Sequence, residues 1–169
     1  MDQQEEAEFA KYFANRRDAV RRTAYLLCGD WHRADDLAQL AFVALHRRWH
    51  KIRDHGALDA YVRKTLVRSV IDESRRPWRR ERFVDEVPEP PAASVGFDTQ
   101  VVTREALLAG LREVPPRQRA VLVLRYFEGL DVAAAATALG CTEGTVKSQT
   151  ARGLAALRAA LDEEVNVNG

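Results

Sequence analysis

The chain has 169 residues, with 26 Lys+Arg against 25 Asp+Glu and a formal charge of +1, enough for one ordinary domain or two small ones. That near-zero total hides a segmental pattern, since residues 1–10 carry −4, 11–82 carry +9, 83–105 carry −4, 106–161 carry +3 and 162–169 carry −3, so a polyanion would meet strongly basic pieces locally. The acidic start, Asp2, Glu5, Glu6 and Glu8, is the reverse of a secretory leader, and aliphatic runs such as Ala120–Leu124 and Val132–Ala136 fall far short of the ~20 apolar residues that cross a bilayer; both predict a soluble, cytoplasmic protein.

In chain order, Phe9, Phe13, Val20, Ala24 and Leu27 repeat at helical spacing and predict a first helix that Gly29 stops. Asp30 is placed to cap a second, whose Ala34, Leu37, Ala38, Ala41, Phe42 and Leu45 form an inward stripe before Trp49. A loop from His50 to about Gly56 is expected next. Leu58, Tyr61, Val62, Leu66 and Ile71 then predict a third helix with Arg63, Lys64, Arg68, Arg75 and Arg76 on or near its polar side, ended by Pro77.

Residues 83–103 lose the helical period and gather Pro88, Pro90, Pro91 and Gly96 among acids, the composition of a linker. A helix is predicted from near Thr103, with Leu107, Leu108 and Leu111 on its apolar face, broken at Pro115 and Pro116. Pro116 suits the first position of another helix, where its missing N–H is not needed, and that helix is expected to run to Glu128 before Gly129. Asp131 caps a third, to Leu139, with Gly140 just beyond it. Thr142 caps a fourth, from Glu143 to about Leu161, facing Val146, Leu154, Leu157 and Leu161 inward. No strand pattern or repeat competes, so the fold class is all-α, two small helical domains over 1–82 and 104–169 joined by the acidic linker 83–103.

The bases are 22 Arg and 4 Lys, which suits bidentate phosphate binding but equally follows from a genome rich in G and C. Cys28 and Cys141 form no Cys-x-x-Cys pair, against a zinc knuckle. His46 and His50 lie four apart on the predicted second helix, a spacing that can present two imidazoles to one metal, with His32 and His55 as thirds; partly exposed histidines near a basic helix end fit as well, and no metal site is expected. There is no Gly-x-Ser-x-Gly, Gly-rich phosphate loop or His-Glu-x-x-His, so neither an enzyme nor a cofactor is expected.

Asp131 to Arg158 reads as short helix, glycine turn, longer helix, the arrangement of a helix-turn-helix. The first turns of the longer helix offer Glu143, Thr145, Lys147, Ser148 and Gln149, with Arg152 one turn on, side chains that suit base edges and phosphates in a major groove. A plain helical hairpin with a solvated polar face shares this pattern.

Leu111-Arg-Glu-Val-Pro-Pro-Arg-Gln-Arg-Ala-Val-Leu-Val-Leu-Arg-Tyr-Phe-Glu-Gly-Leu130, followed by Gly144-Thr-Val-Lys-Ser148, resembles region 4 of bacterial RNA polymerase sigma factors of the extracytoplasmic-function group. Ala24-Tyr-Leu-Leu-Cys-Gly-Asp30, Ala34-Asp-Asp-Leu-Ala-Gln39 and Ala41-Phe42 resemble their region 2, so the resemblance covers about 10–161 with both modules in order. It implies a subunit that binds core RNA polymerase and promoter DNA, with an anti-sigma protein as a further candidate partner. By resemblance Asp35, Asp36, Gln39 and Phe42 dock on core polymerase, where carboxylates would pair with a basic surface and Phe42 would supply apolar area; Phe42 also fits the buried stripe. The resemblance further implies that the loop after Trp49 and the third helix read the melted minus-10 strand through Trp49, Tyr61, Arg63, Lys64, Arg68, Ser69, Arg75 and Arg76, although Trp49 and Tyr61 equally fit a core and the basic run Arg75–Arg82 equally fits a solvated helix end. Thr145, Lys147, Ser148, Gln149 and Arg152 would contact the minus-35 duplex. In the linker, Asp85, Glu86 and Glu89 would follow the segment that threads toward the polymerase active site, or serve as a plain spacer.

Three departures stand out. Leu40 replaces the usual Glu, Ser69 stands where an Asn commonly reads the minus-10 base, and Gln149 replaces a frequent Arg. Three rivals stand beside the sigma reading: a helix-turn-helix regulator that works without polymerase, a sigma-shaped interaction module that does not initiate, and, least favoured, a metal-dependent enzyme built around His46 and His50.

Overall fold

The computed structural model describes residues 1–52, 55–75 and 102–168, with backbone alone at 55 and 164–168; the expected linker up to 101, and Arg76, lie outside the described residues. Two compact units are present, Met1–Val70 and Ile71–Gly169. Among the described residues every regular element is helical.

The first unit opens with α1 (Gln3–Cys28), started by a reciprocal capping box in which the Asp2 carboxylate accepts from the Glu5 N–H and the Glu5 side chain accepts from the Asp2 N–H. Gly29 ends it at φ 78°, the left-handed geometry that costs glycine little. Asp30 then accepts from the backbone N–H groups of His32 and Arg33 and starts α2 (Trp31–Arg47), so the expected stop and cap hold. Val20, Ala24 and Leu27 of α1 meet the buried stripe of α2. In the expected loop a 3-10 turn, Trp49–Lys51, brings the Trp49 ring edge-on to Phe9 at 5.4 Å. The third helix, α3 (His55–Ser74), buries Leu58, Val62, Leu66 and Val67, and its last four residues group with the second unit.

The second unit holds α4 (Arg104–Glu113), capped by Thr103, and α5 (Pro116–Leu122), which Pro116 begins as expected. Arg119 is 5% exposed, and its guanidinium donates to the carbonyls of Arg112 and Val114 at 2.9 Å. A cation thus sits at the negative end of α4, where helix carbonyls lack backbone partners. The helix expected to reach Glu128 stops being α-helical at Val123, because Val123–Phe127 widen into a π turn in which the Glu128 N–H bonds the Val123 carbonyl. With the ladder widened by one residue, Leu130 bonds back to Leu124, the Arg125 guanidinium reaches the Leu130 carbonyl, and Tyr126 and Phe127 stand exposed.

Asp131 caps α6 (Val132–Leu139), Gly140 closes it at φ 68°, and the Thr142 hydroxyl accepts from the Thr145 N–H to start α7. That helix spans Glu143–Asn168, past the expected end near Leu161, because residues 162–168 hold no Gly or Pro to stop it. It packs on α4, α5 and α6 in turn. The approach is close at Gly153, where a Cβ would lie 3.1 Å from Leu122 and 3.3 Å from the Gln118 carbonyl oxygen.

Candidate functional site

Three surfaces gather the residues singled out from the sequence. The first is a groove of about 740 Å³ between α1 and α2, lined by Phe9, Phe13, Arg21, Asp35, Gln39 and Val43 among others. Phe42 is 4% exposed and packs edge-on against Phe13 at 4.8 Å; it is core that forms the groove floor, with little area left for a partner. The groove's exposed apolar area comes instead from Phe13 at 38% and Val43 at 42%, and Leu40, at 58%, stands on α2 outside the lining. Asp36, Leu40, Val43 and Arg47 follow one another at spacings of four, three and four, so an acid, two apolar residues and a base run down one stripe of α2.

Asp35 is already engaged. Its carboxylate accepts from the Arg21 Nε, and the guanidinium lies 4.2 Å over the Trp31 ring, which stacks on Tyr25 at 3.9 Å. Asp36 and Gln39 are exposed beside it.

The second surface is α3. Its helical repeat puts Tyr61, Lys64 and Arg68 on one face opposite the buried stripe, with Arg68 exposed and Tyr61 and Lys64 half-buried, and exposed Arg75 follows in the turn after its end. Arg63 falls on the inward flank with its Nε covered, and the half-buried Ser69 falls on another flank, so these two do not share the face. Trp49 is 7% exposed, clasped by Phe9 and Tyr12. Its ring is core and is covered from a stacking base.

The third is the N-terminal half of α7. Glu143, Gly144, Lys147, Ser148, Ala151 and Arg152 are exposed, while Val146 and Gly153 are buried on the opposite side. Thr145 and Gln149 sit on the flank between them. The Thr145 hydroxyl lies 2.9 Å from that of Thr142 and belongs to the helix cap, and the Gln149 Oε1 is covered by protein. A left-handed Gly140 between α6 and α7 gives the tight turn of a helix-turn-helix.

Residues 13–80 match the family Sigma-70 region 2 and residues 104–157 match Sigma-70, region 4. The RNA polymerase sigma-E factor of Streptomyces avermitilis is 40% identical over 158 residues, which are 92% of this chain and 86% of that protein. The chain belongs to the extracytoplasmic-function group of RNA polymerase sigma factors. It is also 37% identical to the RNA polymerase sigma-E factor of Streptomyces coelicolor, over 89% of this chain and 84% of that one. The ECF RNA polymerase sigma factor SigM of Mycobacterium tuberculosis is 31% identical over 94% and 81%. Among solved structures, the sigma factor RpoE of Bartonella quintana, in complex with the anti-sigma factor NepR, matches with a TM-score of 0.68 at 21% identity, covering 92% of this chain and 97% of that one; this is a likeness of fold.

A sigma factor directs promoter-specific transcription as a subunit of RNA polymerase. Sequence reasoning about this one missed the Arg21–Asp35 pair and the polar anchor of α3 described below, because neither pairing leaves a periodic signal. The exposure of Val43 was signalled by its position off the buried stripe. The histidine pair does not form on one helix: α2 ends at Arg47, His50 lies in the 3-10 turn, and the His46 Nε2 is 3.2 Å from the Glu6 carboxylate. Among the described residues no three His, Cys, Asp or Glu side chains converge as metal ligands, and no helix is long and apolar enough to cross a membrane.

Proposed function

We propose that this sigma factor divides its task among the three surfaces. The α1–α2 groove, lined by Asp35, Gln39 and Val43, together with Asp36 and exposed Leu40 on the adjoining stripe of α2, docks on core RNA polymerase; the α3 face of Tyr61, Lys64 and Arg68, with Arg75 after it, takes the melted minus-10 strand; and Lys147, Ser148 and Arg152 on α7 meet the minus-35 duplex. In this reading the functional division follows 1–82, 83–103 and 104–169, with Arg76 extending the basic end of the first. The protein itself makes and breaks no bonds, works in the cytoplasm, and leaves phosphoryl chemistry to the polymerase.

The observation that carries the reading is the α7 face. After Glu143 in its first turn its exposed side chains are short or cationic, its apolar side is consumed by packing on three helices, and its N-terminus follows a tight turn. Such a rigid helix is what a major groove admits. The α3 face adds cations beside an aromatic ring, the pairing that holds single strands.

The test is run-off transcription by core polymerase, with and without the protein, on fragmented genomic DNA, with transcript starts mapped. Starts that require the protein and share two upstream motifs are expected. Polymerase binding without new starts would replace this reading with the non-initiating interaction module, and sequence-specific duplex binding by the free protein without polymerase binding would favour the plain regulator.

A further inference from the structure

We infer that Asp59 is a positioning residue for promoter opening, the anchor that fixes the direction in which α3 presents its reading face. Asp59 is on the first turns of α3, and its carboxylate accepts a 2.6 Å hydrogen bond from the Tyr12 hydroxyl and lies 3.2 Å from the Arg16 Nε, both on α1. Asp59 and Arg68 are nine positions apart, about two and a half turns at ~3.6 residues per turn, so they lie on opposite sides of the helix. Tying the back of α3 to α1 therefore sets where Arg68, Lys64 and Tyr61 point.

The holder is itself rigid. The Tyr12 ring sits 6.3 Å from Phe42 and 6.0 Å from Trp49, so the hydroxyl is delivered from the aromatic core of the unit. Burial, then the hydrogen bond to Asp59, hold the Tyr12 phenol well above its ordinary range, which keeps it protonated and donating. Hydrophobic contacts from Leu58, Val62 and Leu66 keep α3 attached but are non-directional. A hydrogen bond to a carboxylate has a defined geometry and resists rotation of the helix about its own axis. Arg16 and Asp59 are each about two-fifths exposed, so the ion pair adds less than the tyrosine bond.

The inference rests on the reading of α3 as the strand-binding helix, and the experiment separates the two. Full-length protein is assembled with core polymerase, and promoter opening is followed by the fluorescence of 2-aminopurine placed in the minus-10 strand, beside polymerase affinity and the thermal melt of the free protein. Asp59→Ala is expected to lower opening about tenfold, the scale of one lost charge-assisted hydrogen bond, with polymerase affinity within about twofold, because the docking groove lies on α1 and α2. Asp59→Asn keeps an acceptor for Tyr12 and is expected to recover most of that loss. Tyr12→Phe keeps the ring and should reproduce the defect, and Tyr12→Phe with Asp59→Ala should be no worse than Asp59→Ala alone. Arg68→Ala tests the face itself: normal opening in that variant overturns the reading of α3. Impaired opening in Arg68→Ala with normal opening in Tyr12→Phe and Asp59→Ala overturns the positioning role and leaves the reading in place. A loss of opening that only follows a lowered melt, without recovery in Asp59→Asn, also overturns it, since a fold-maintaining contact alone gives that result.

Discussion

The α2 stripe proposed to dock on polymerase and the α7 face proposed to read DNA are both exposed helix surfaces, yet they are made of opposite materials. On α2 the centre is Leu40 and Val43 with charges at the ends; on α7 the centre is Lys147, Ser148, Ala151 and Arg152, and no large apolar side chain stands out among the exposed residues of that face. A protein partner returns buried apolar area, of the order of 25 cal/mol per Å², whereas a duplex returns phosphate and base contacts with counterion release. The contrast underlies the proposal that α2 meets a protein and α7 a duplex, and it is testable by exchanging one property at a time.

The largest expected effect is on the DNA side. Lys147→Ala with Arg152→Ala should lower transcript yield from the protein's own promoters about a hundredfold, since each good bidentate base contact is worth roughly 1–3 kcal/mol of discrimination. Polymerase affinity should not change. A cation that meets only phosphate would weaken all sequences alike and reduce the salt slope of duplex binding by about one, so a salt titration of each single variant assigns its contact. Unchanged yield in the double variant would remove α7 from promoter reading.

On the protein side, Leu40→Ser should weaken binding to core polymerase about tenfold, consistent with ~1.5–3 kcal/mol for burying a leucine side chain. The affinity should depend less steeply on salt than duplex binding does, because its centre is apolar. If Leu40→Ser binds core polymerase as the parent does, the stripe is not the docking surface and the comparison between the two helices fails.

Most of the fold was legible because its punctuation is local. Gly29, Asp30, Pro116, Asp131, Gly140 and Thr142 each act within a turn of their own position, and apolar periodicity gave the buried stripes of α1, α2 and α3. What the sequence could not show were pairings set by packing. The π turn at Val123–Phe127 depends on how α5 is accommodated, and nothing in Val-Leu-Arg-Tyr-Phe announces it. The sites divide in the same way. Resemblance put Phe42 and Trp49 among contact residues, and three-dimensional burial makes both core. Periodicity alone grouped Arg63 with Lys64 and Arg68, although one residue of helix rotation, ~100°, takes Arg63 to the inward flank.

The third prediction concerns what holds the α7 face in place. Gly153→Ala introduces a methyl 3.1 Å from Leu122 and 3.3 Å from a backbone oxygen, and overpacking of this kind costs typically ~1–3 kcal/mol. The helix gains from Ala only ~1 kcal/mol in propensity, so a lowered melt of the second unit is expected. At Gly144 the nearest atom to such a methyl is the Thr142 Oγ1 at 3.9 Å, an ordinary contact, and Gly144→Ala should not lower the melt. Equal melts for the two variants would show that α7 does not approach α5 as closely as described.

The smallest effect separates the two helices by how they begin. Helix α2 starts on an exposed carboxylate, Asp30, held below its ordinary range first by the hydrogen bond from the Arg33 backbone N–H and also by that from His32. Helix α7 starts on the Thr142 hydroxyl, which does not titrate near neutrality. A carboxyl with a depressed folded-state pKa contributes stability that is present above its unfolded value near 4 and is lost as the pH falls through the folded value. Acidification should therefore loosen the start of α2, read by Trp31 fluorescence beside the stack on Tyr25, while the start of α7 is unaffected by this route. Asp30→Asn retains capping ability but has no proton to take up, so its acid limb should be shallower than the parent's. Identical acid limbs would mean that the Asp30 cap contributes nothing pH-dependent, and the different starts of the two helices would then carry no consequence for their stability.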